Sequence, residues 1–295
     1  MLDRLLGNYL VDQGLLTKMQ LAEVYRRQDA GRAKLGVIAV AEKLMTIAQA
    51  EQVNTLQSSM DKRFGDIAIE RGYLNEAQVS RLLELQGNNY LIFLQSIVDL
   101  GFLTMERLEA AEEEYQKLHG FTESDMSALK TGDVEQAVPV FLHTDDPFYK
   151  KMFSMGIKNL YRLADIHVYI GKTYTSSAIK DEVLGYQTFH GQQNGAVALS
   201  GKYEDVRKLA IAYTKEEFIE TREDALDASC ELINCINGLY ATEESKQDVR
   251  IDLDPPNFSV SFAEATGEEM VVMPIYVCGG EVKYIIAVSK DISIG

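Results

Sequence analysis

Positive charge, histidine, cysteine and long apolar runs are all scarce in this sequence of 295 residues, and each shortage removes a class of function. Asp and Glu number 45 against 29 Lys and Arg, a formal charge of −16, with about 12 of the excess acids after residue 120 and about 4 before it. Nucleic acid and anionic membrane both need a basic footprint, so neither is an expected partner. The histidines His119, His143, His167 and His190 are dispersed, without HxxxH or HExxH spacing, which gives no metal-ligand pattern. The cysteines Cys230, Cys235 and Cys278 are odd in number and lack CxxC spacing, which indicates neither a disulfide framework nor a zinc site. No apolar run is long enough to span a bilayer, and the start, MLDRLLGNYLVDQGLL, lacks the blocks of a signal peptide; a cytoplasmic protein without membrane insertion is expected. GxSxG is absent, and the stretch Gly31 to Gly36 continues with Val37 and Ile38 where a P-loop requires Lys and Ser or Thr.

What is present is enough apolar residue, 46%, for two ordinary cores, and a periodicity of 29 in the first half. Gly7, Gly36, Gly65 and Leu94 share that interval, as do Gly14, Lys43, Gly72 and Gly101, and Gln28, Gln57, Gln86 and Tyr115. Thr17, Thr46, Asn75 and Thr104 keep it too; each opens an apolar-periodic segment, and Gln20, Gln49 and Gln78 follow the first three at capping-box distance. Each unit reads as helix, turn, capped helix, and four such hairpins bury their faces only by stacking. The expected division is a helical-hairpin repeat domain over 1–118, a linker over 119–145 containing a short helix at Ser124 to Lys130 and an extended segment at Val138 to Leu142, and a second domain over 146–295.

That second domain reads as α+β with a largely antiparallel sheet. Helices are expected at Asp146 to Leu163 and Tyr203 to Tyr213, and strands at Ile166 to Tyr174, Val183 to His190, Ala196 to Leu199, Val249 to Leu253, Asn257 to Ala263, Met270 to Val277 and Val282 to Ser289. The last strand would pair with another chain if it lay at an edge. The most informative stretch is Asp224 to Glu244, a single amphipathic helix. At about 100° per residue, Asp224, Asp227, Glu231, Asn234 and Gly238 fall within roughly 80° of one another, while Ala225, Ser229, Leu232, Ile233, Ile236 and Leu239 lie opposite. A solvated face has little use for a shape-specific Asn or a helix-weakening Gly, so this stripe suggests a surface that receives a partner. Asn237, near the edge of the stripe, stands outside the catalytic set.

The order Ala228, Glu231, Leu232, Asn234, Gly238, Ala241 resembles the signature helix of the CheX and CheC chemotaxis phosphatases, and IDLDPPNFSV (251–260) and MVVMPI (270–275) resemble the Pro-Pro turn and late strands of CheX. The resemblance implies dephosphorylation of a phosphorylated CheY-like receiver domain, with Glu231 and Asn234 catalytic, Asp227 and Gly238 on the docking face, and a homodimer. It implies no cofactor of the chain's own, because Mg²⁺ and a lysine come with the receiver. The first half is similar to the MshEN modules of secretion and pilus ATPases, whose paired motifs bind cyclic di-GMP. The arginine position of that motif holds Leu5, Lys34, Arg63 and Ile92, so the third unit, with Arg63, Gly65, Gly72 and Gln86, is the nucleotide-binding candidate. The alternative function is a non-enzymatic signalling adaptor, or a cyclic di-GMP receptor, using those repeats.

Overall fold

The computed structural model describes residues 1–29, 31–57, 59–60, 62–216, 219–261, 263–288 and 293–294. The chain divides into two compact units, Met1–Asp133 and Val134–Gly295. The first is helical: α1 (Leu2–Asp12), α2 (Lys18–Gln28), α3 (Leu35–Ala41), α4 (Ile47–Gln57), α5 (Phe64–Glu70), α6 (Glu76–Glu84), α7 (Asn89–Asp99), α8 (Met105–His119) and α9 (Glu123–Thr131). Local chemistry explains the boundaries. Thr17 and Asn75 form reciprocal capping boxes with Gln20 and Gln78, Thr46 and Gln49 exchange the same pair of bonds, and Thr104 accepts from the Arg107 amide. Each cap satisfies amide donors that the first helical turn leaves unpaired. The fully buried side chains Leu6, Leu10, Val24, Ile38, Val53, Ile67, Leu82, Phe93, Ile97 and Leu108 form this unit's core.

Between the paired helices the backbone enters the left-handed region at Gly14 (φ 67°), Lys43 (57°), Gly72 (72°) and Gly101 (69°), the same 29-residue series seen in the sequence. Lys43 is the member with a Cβ, which is strained there by about 1–2 kcal/mol. Glycine would relax that strain and return about 0.4–1 kcal/mol of it through a more flexible unfolded chain. Lys43→Gly is therefore expected to stabilise this unit by about 0.5–1 kcal/mol, read as a higher urea midpoint at constant slope. A midpoint at or below that of the wild type would mean that the Lys43 side chain supplies more than its backbone costs.

The second unit contains α10 (Val134–Phe141), α11 (Pro147–Leu163), β1 (Tyr169–Ile170), β2 (Tyr174–Asp181), β3 (Val183–Gly191), β4 (Gly195–Gly201), α12 (Tyr203–Thr214), α13 (Arg222–Ser245), β5 (Ile251–Leu253), β6 (Asn257–Ser259), β7 (Ala263–Val277), β8 (Gly280–Ala287) and β9 (Ser293–Ile294). Among the described residues the strands form one antiparallel sheet in the order β1-β7-β8-β4-β3-β5, with β2 and β9 also on β7 and β6 also on β3. The fifteen-residue β7 is its backbone, pairing Tyr174 with Val272 and Ile275 with Val282. Helix α11 packs against the sheet through Gly156, where an added Cβ would stand 2.5 Å from Cε1 of the buried Tyr284.

Several expectations are corrected. Val138 to Leu142 is not extended: Val134, Ala137, Val138 and Phe141 are buried at helical spacing, and α10 runs to Phe141. The strand expected at Ile166 to Tyr174 is interrupted; β1 holds two residues and Gly171 donates to the Pro274 carbonyl before β2 begins. The strand expected to begin at Val282 is not an edge, because β8 is paired to β4 and β7 along its two sides; Ser289 lies outside the described residues. Residue 262, within the expected Asn257 to Ala263 strand, also lies outside them.

Candidate functional site

Thr221 caps α13 in a reciprocal box with Asp224, which assigns Asp224 to the helix start instead of to the docking stripe. Ala225, Leu226, Ser229, Leu232, Ile233, Ile236 and Tyr240 are buried. On the opposite side Asp227, Glu231 and Asn234 are exposed, and Cys235 and Gly238 are partly so. Leu239, expected among the apolar residues, is 44% exposed. It lies only about 20° around the helix from Leu232, which is buried two turns earlier, so the same side of α13 is covered at Leu232 and exposed at Leu239.

Below this face lies β3. Its residues Val183, Gly185, Gln187 and Phe189 alternate toward the helix, and Gly185 lets α13 approach so closely that an added Cβ would be 3.0 Å from the Cys230 sulfur. Gln187 is polar in this apolar series and 1% exposed. Its Nε2 donates to Asn234 Oδ1 at 2.7 Å and to the Asp254 carbonyl at 2.8 Å. Its Oε1 accepts from Asn237 Nδ2 at 2.9 Å. Asn237 is buried, so its place outside the catalytic set has a physical reason: its amide supports the one beneath Asn234.

The Asp254-Pro255-Pro256 turn is tied to the same strand. The Asp254 amide donates to the Thr188 carbonyl at 3.0 Å, and Thr188 Oγ1 donates to Asp254 Oδ2 at 2.6 Å. That hydroxyl, followed by the neighbouring His190, holds the Asp254 carboxyl below the usual carboxylate value. A depressed folded-state value means that this anchor is intact above the unfolded pKa and is lost only as pH falls through the lower, folded one. On the other flank, α12 brings Tyr213 beside the stripe. Burial, then Cys235 and Glu231, push its phenol up. Burial likewise raises the Cys230 thiol to about 11, which makes it a packing residue whose sulfur lies 3.4 Å from the Asn257 carbonyl.

Gln187 and Tyr213 are both missing from the sequence reading. A glutamine on the apolar side of a strand was a visible signal, since a buried amide has to be bonded. Tyr213 carried none, because its proximity depends on how α12 and α13 pack.

Gly238 faces open space: nothing lies within 4 Å of an added Cβ. Glycine inside a helix costs about 0.8–1.0 kcal/mol relative to alanine. Gly238→Ala is expected to stabilise the protein by about that amount. If the face receives a partner backbone, the same substitution lowers affinity for that partner at least several-fold in a titration; unchanged affinity would remove Gly238 from the contact.

In the first unit, Arg63 is exposed, whereas the other nucleotide-binding candidates have structural tasks. Gly65 packs against Val79, Gly72 makes a left-handed turn, and Gln86 donates to the Ala33 carbonyl at 3.0 Å. Among the described residues, no three of His, Cys, Asp and Glu gather as metal ligands, and no helix is long and apolar enough to cross a membrane.

The second unit is thus an α+β domain with an antiparallel sheet, displaying an acid and an amide one helical turn apart. Residues 183–275, which include this helix, match the family model of the chemotaxis phosphatase CheX. No match was found among curated proteins. Similar solved structures include a chemotaxis protein CheX from Desulfovibrio desulfuricans, 17% identical over 49% of this chain and 100% of that one with a TM-score of 0.43. A CheC-like superfamily protein from Shewanella sp. PV-4 is 17% identical over 49% and 98%, TM-score 0.42. A CheX–CheY–BeF₃–Mg²⁺ complex from Borrelia burgdorferi is 19% identical over 50% and 97%, TM-score 0.40.

Proposed function

We propose that the exposed face of α13 dephosphorylates the aspartyl phosphate of a CheY-like receiver domain. The observation that carries this reading is the exposure of Glu231 and Asn234 on one helix face, with the Asn234 amide anchored from beneath, inside the segment matching the CheX family model. A receiver brings its own Mg²⁺ and lysine, which neutralise charge on the phosphoryl group. Glu231 docks against that lysine through a charge-assisted hydrogen bond. Asn234 holds a water in line with phosphorus. The water oxygen forms a bond to phosphorus, the bond to the aspartate oxygen breaks with its electron pair on the carboxylate, and both water protons leave with inorganic phosphate. The amide loses no proton and serves by orientation.

In this reading the chain works in the cytoplasm as a homodimer, residues 1–118 are MshEN-like tandem helical hairpins that localise or modulate it, 119–145 link them to it, and 146–295 form the phosphatase domain. The test is phosphate release from receivers charged with acetyl phosphate and Mg²⁺. Accelerated release supports the enzyme. No acceleration against any receiver of the same genome leaves a signalling adaptor or, through Arg63, a cyclic di-GMP receptor. The latter is read independently as a thermal shift at saturating nucleotide.

A further inference from the structure

We infer that Gln187 is the positioning residue for Asn234, fixing which edge of its amide meets the partner. This deepens the phosphatase reading and rests on it for its catalytic consequence, though not for its geometry. The polarity of the network follows from one unambiguous atom. The Asp254 main-chain carbonyl can only accept, so the Gln187 atom 2.8 Å from it is the nitrogen. The second hydrogen of that nitrogen is directed at Asn234, 2.7 Å away, and two donors cannot face each other there. Asn234 therefore turns Oδ1 inward, using one lone pair, and presents both Nδ2 hydrogens and the remaining lone pair outward. A flipped amide would place N–H against N–H.

Each part of this clamp is itself held. Gln187 is 1% exposed, so water is a poor substitute for its partners, and leaving a buried amide unpaired costs about 1–3 kcal/mol. Its other end receives the Asn237 amide at 2.9 Å. The acceptor carbonyl precedes Pro255, which confines Asp254 to extended backbone, and the Asp254 amide is bonded to the Thr188 carbonyl at 3.0 Å. The Pro-Pro turn thus reaches the exposed face through a chain of three residues, Asp254, Gln187 and Asn234. An asparagine on a helix surface samples several rotamers; this one is committed before the partner arrives, which removes the ordering step from the reaction.

The test uses the full chain carrying Gln187→Met, which keeps length and removes both donor and acceptor, and Gln187→Glu, which keeps hydrogen-bonding reach but as a carboxylate only accepts. Both are expected to lower phosphate release at saturating receiver by about 10–100-fold. Affinity for a beryllofluoride-loaded receiver stays within about threefold, since the docking face is unaltered. In wild type the Asn234 side-chain ¹⁵N–¹H₂ group is expected to be nearly as ordered as backbone, with S² near 0.85, and to fall below about 0.6 in Gln187→Met. Wild-type release by Gln187→Met, or a loss accounted for entirely by weaker binding, overturns the assignment. So does an already disordered Asn234 amide in wild type, a measurement that needs no variant to fold. If wild type accelerates release from no receiver, the phosphatase reading fails, while the order of the amide still decides the clamp.

Discussion

Replacing Asn234 with alanine is expected to reduce phosphate release at saturating receiver by about 10²–10³-fold, the loss seen when a preorganised polar group is removed from a reacting centre, while receiver affinity changes little. The expectation follows from where Asn234 stands. It is exposed on α13 and donates nothing to the fold, so its truncation leaves the core intact. It does free one Gln187 hydrogen, while the other keeps the Asp254 carbonyl as its partner. Glu231→Ala is expected to behave oppositely: a half-saturating receiver concentration about tenfold higher, equal to about 1.4 kcal/mol, with the saturating rate nearly kept. The split between the two variants separates docking from water orientation. Weaker half-saturation with the saturating rate kept in Asn234→Ala as well would assign Asn234 to docking alone.

The second large effect concerns stability. Gly156→Ala is expected to destabilise the second unit by about 2–3 kcal/mol, at the upper part of the range for overpacked cores. The new Cβ would lie 2.5 Å from Tyr284 Cε1, 2.7 Å from Cζ and 2.9 Å from the hydroxyl oxygen. Neither side has room to give. Tyr284 is wholly buried in β8, which is paired along its two sides, and its ring meets Phe153 edge-on with centroids 5.5 Å apart. Denaturant unfolding of the full chain reads the loss. Adding Tyr284→Leu should restore part of it, a coupling that separates the clash from any effect of alanine on α11 alone. A midpoint equal to that of the wild type would show that α11 shifts on the sheet at little cost.

What was legible in the sequence is what local chemistry decides. Thr17, Thr46, Asn75 and Thr104 open helices because their side chains bond amides three residues on. The left-handed turns at Gly14, Gly72 and Gly101 were marked by glycine, while Lys43 adopts the same turn with only its place in the series to indicate it. The long helix at α13 was legible from its period. The polar strand β2 was not: only Ile179 of YTSSAIKD is buried, so no alternation could show. The first half of β7, AEATGEE, owes its extended form to pairing with β2, about ninety residues away. The candidate site divides the same way. Glu231 and Asn234 lie three apart on one helix, whereas the Gln187 contact to Asn234 joins residues 47 apart.

The long reach of β7 also sets an order of events during synthesis. Strand β2 pairs Tyr174 with Val272 and Ala178 with Thr266, so its partner is translated roughly a hundred residues after it. At about 5–20 residues per second, β2 waits on the order of 5–20 s before the ribosome delivers β7. By the end of that interval the nascent chain contains β3, β4 and the complete α13, but β7 and β8, through which β2 is joined to β4, are still to come. A strand that must idle unpaired is an aggregation hazard, and one as polar as β2 is well suited to the delay.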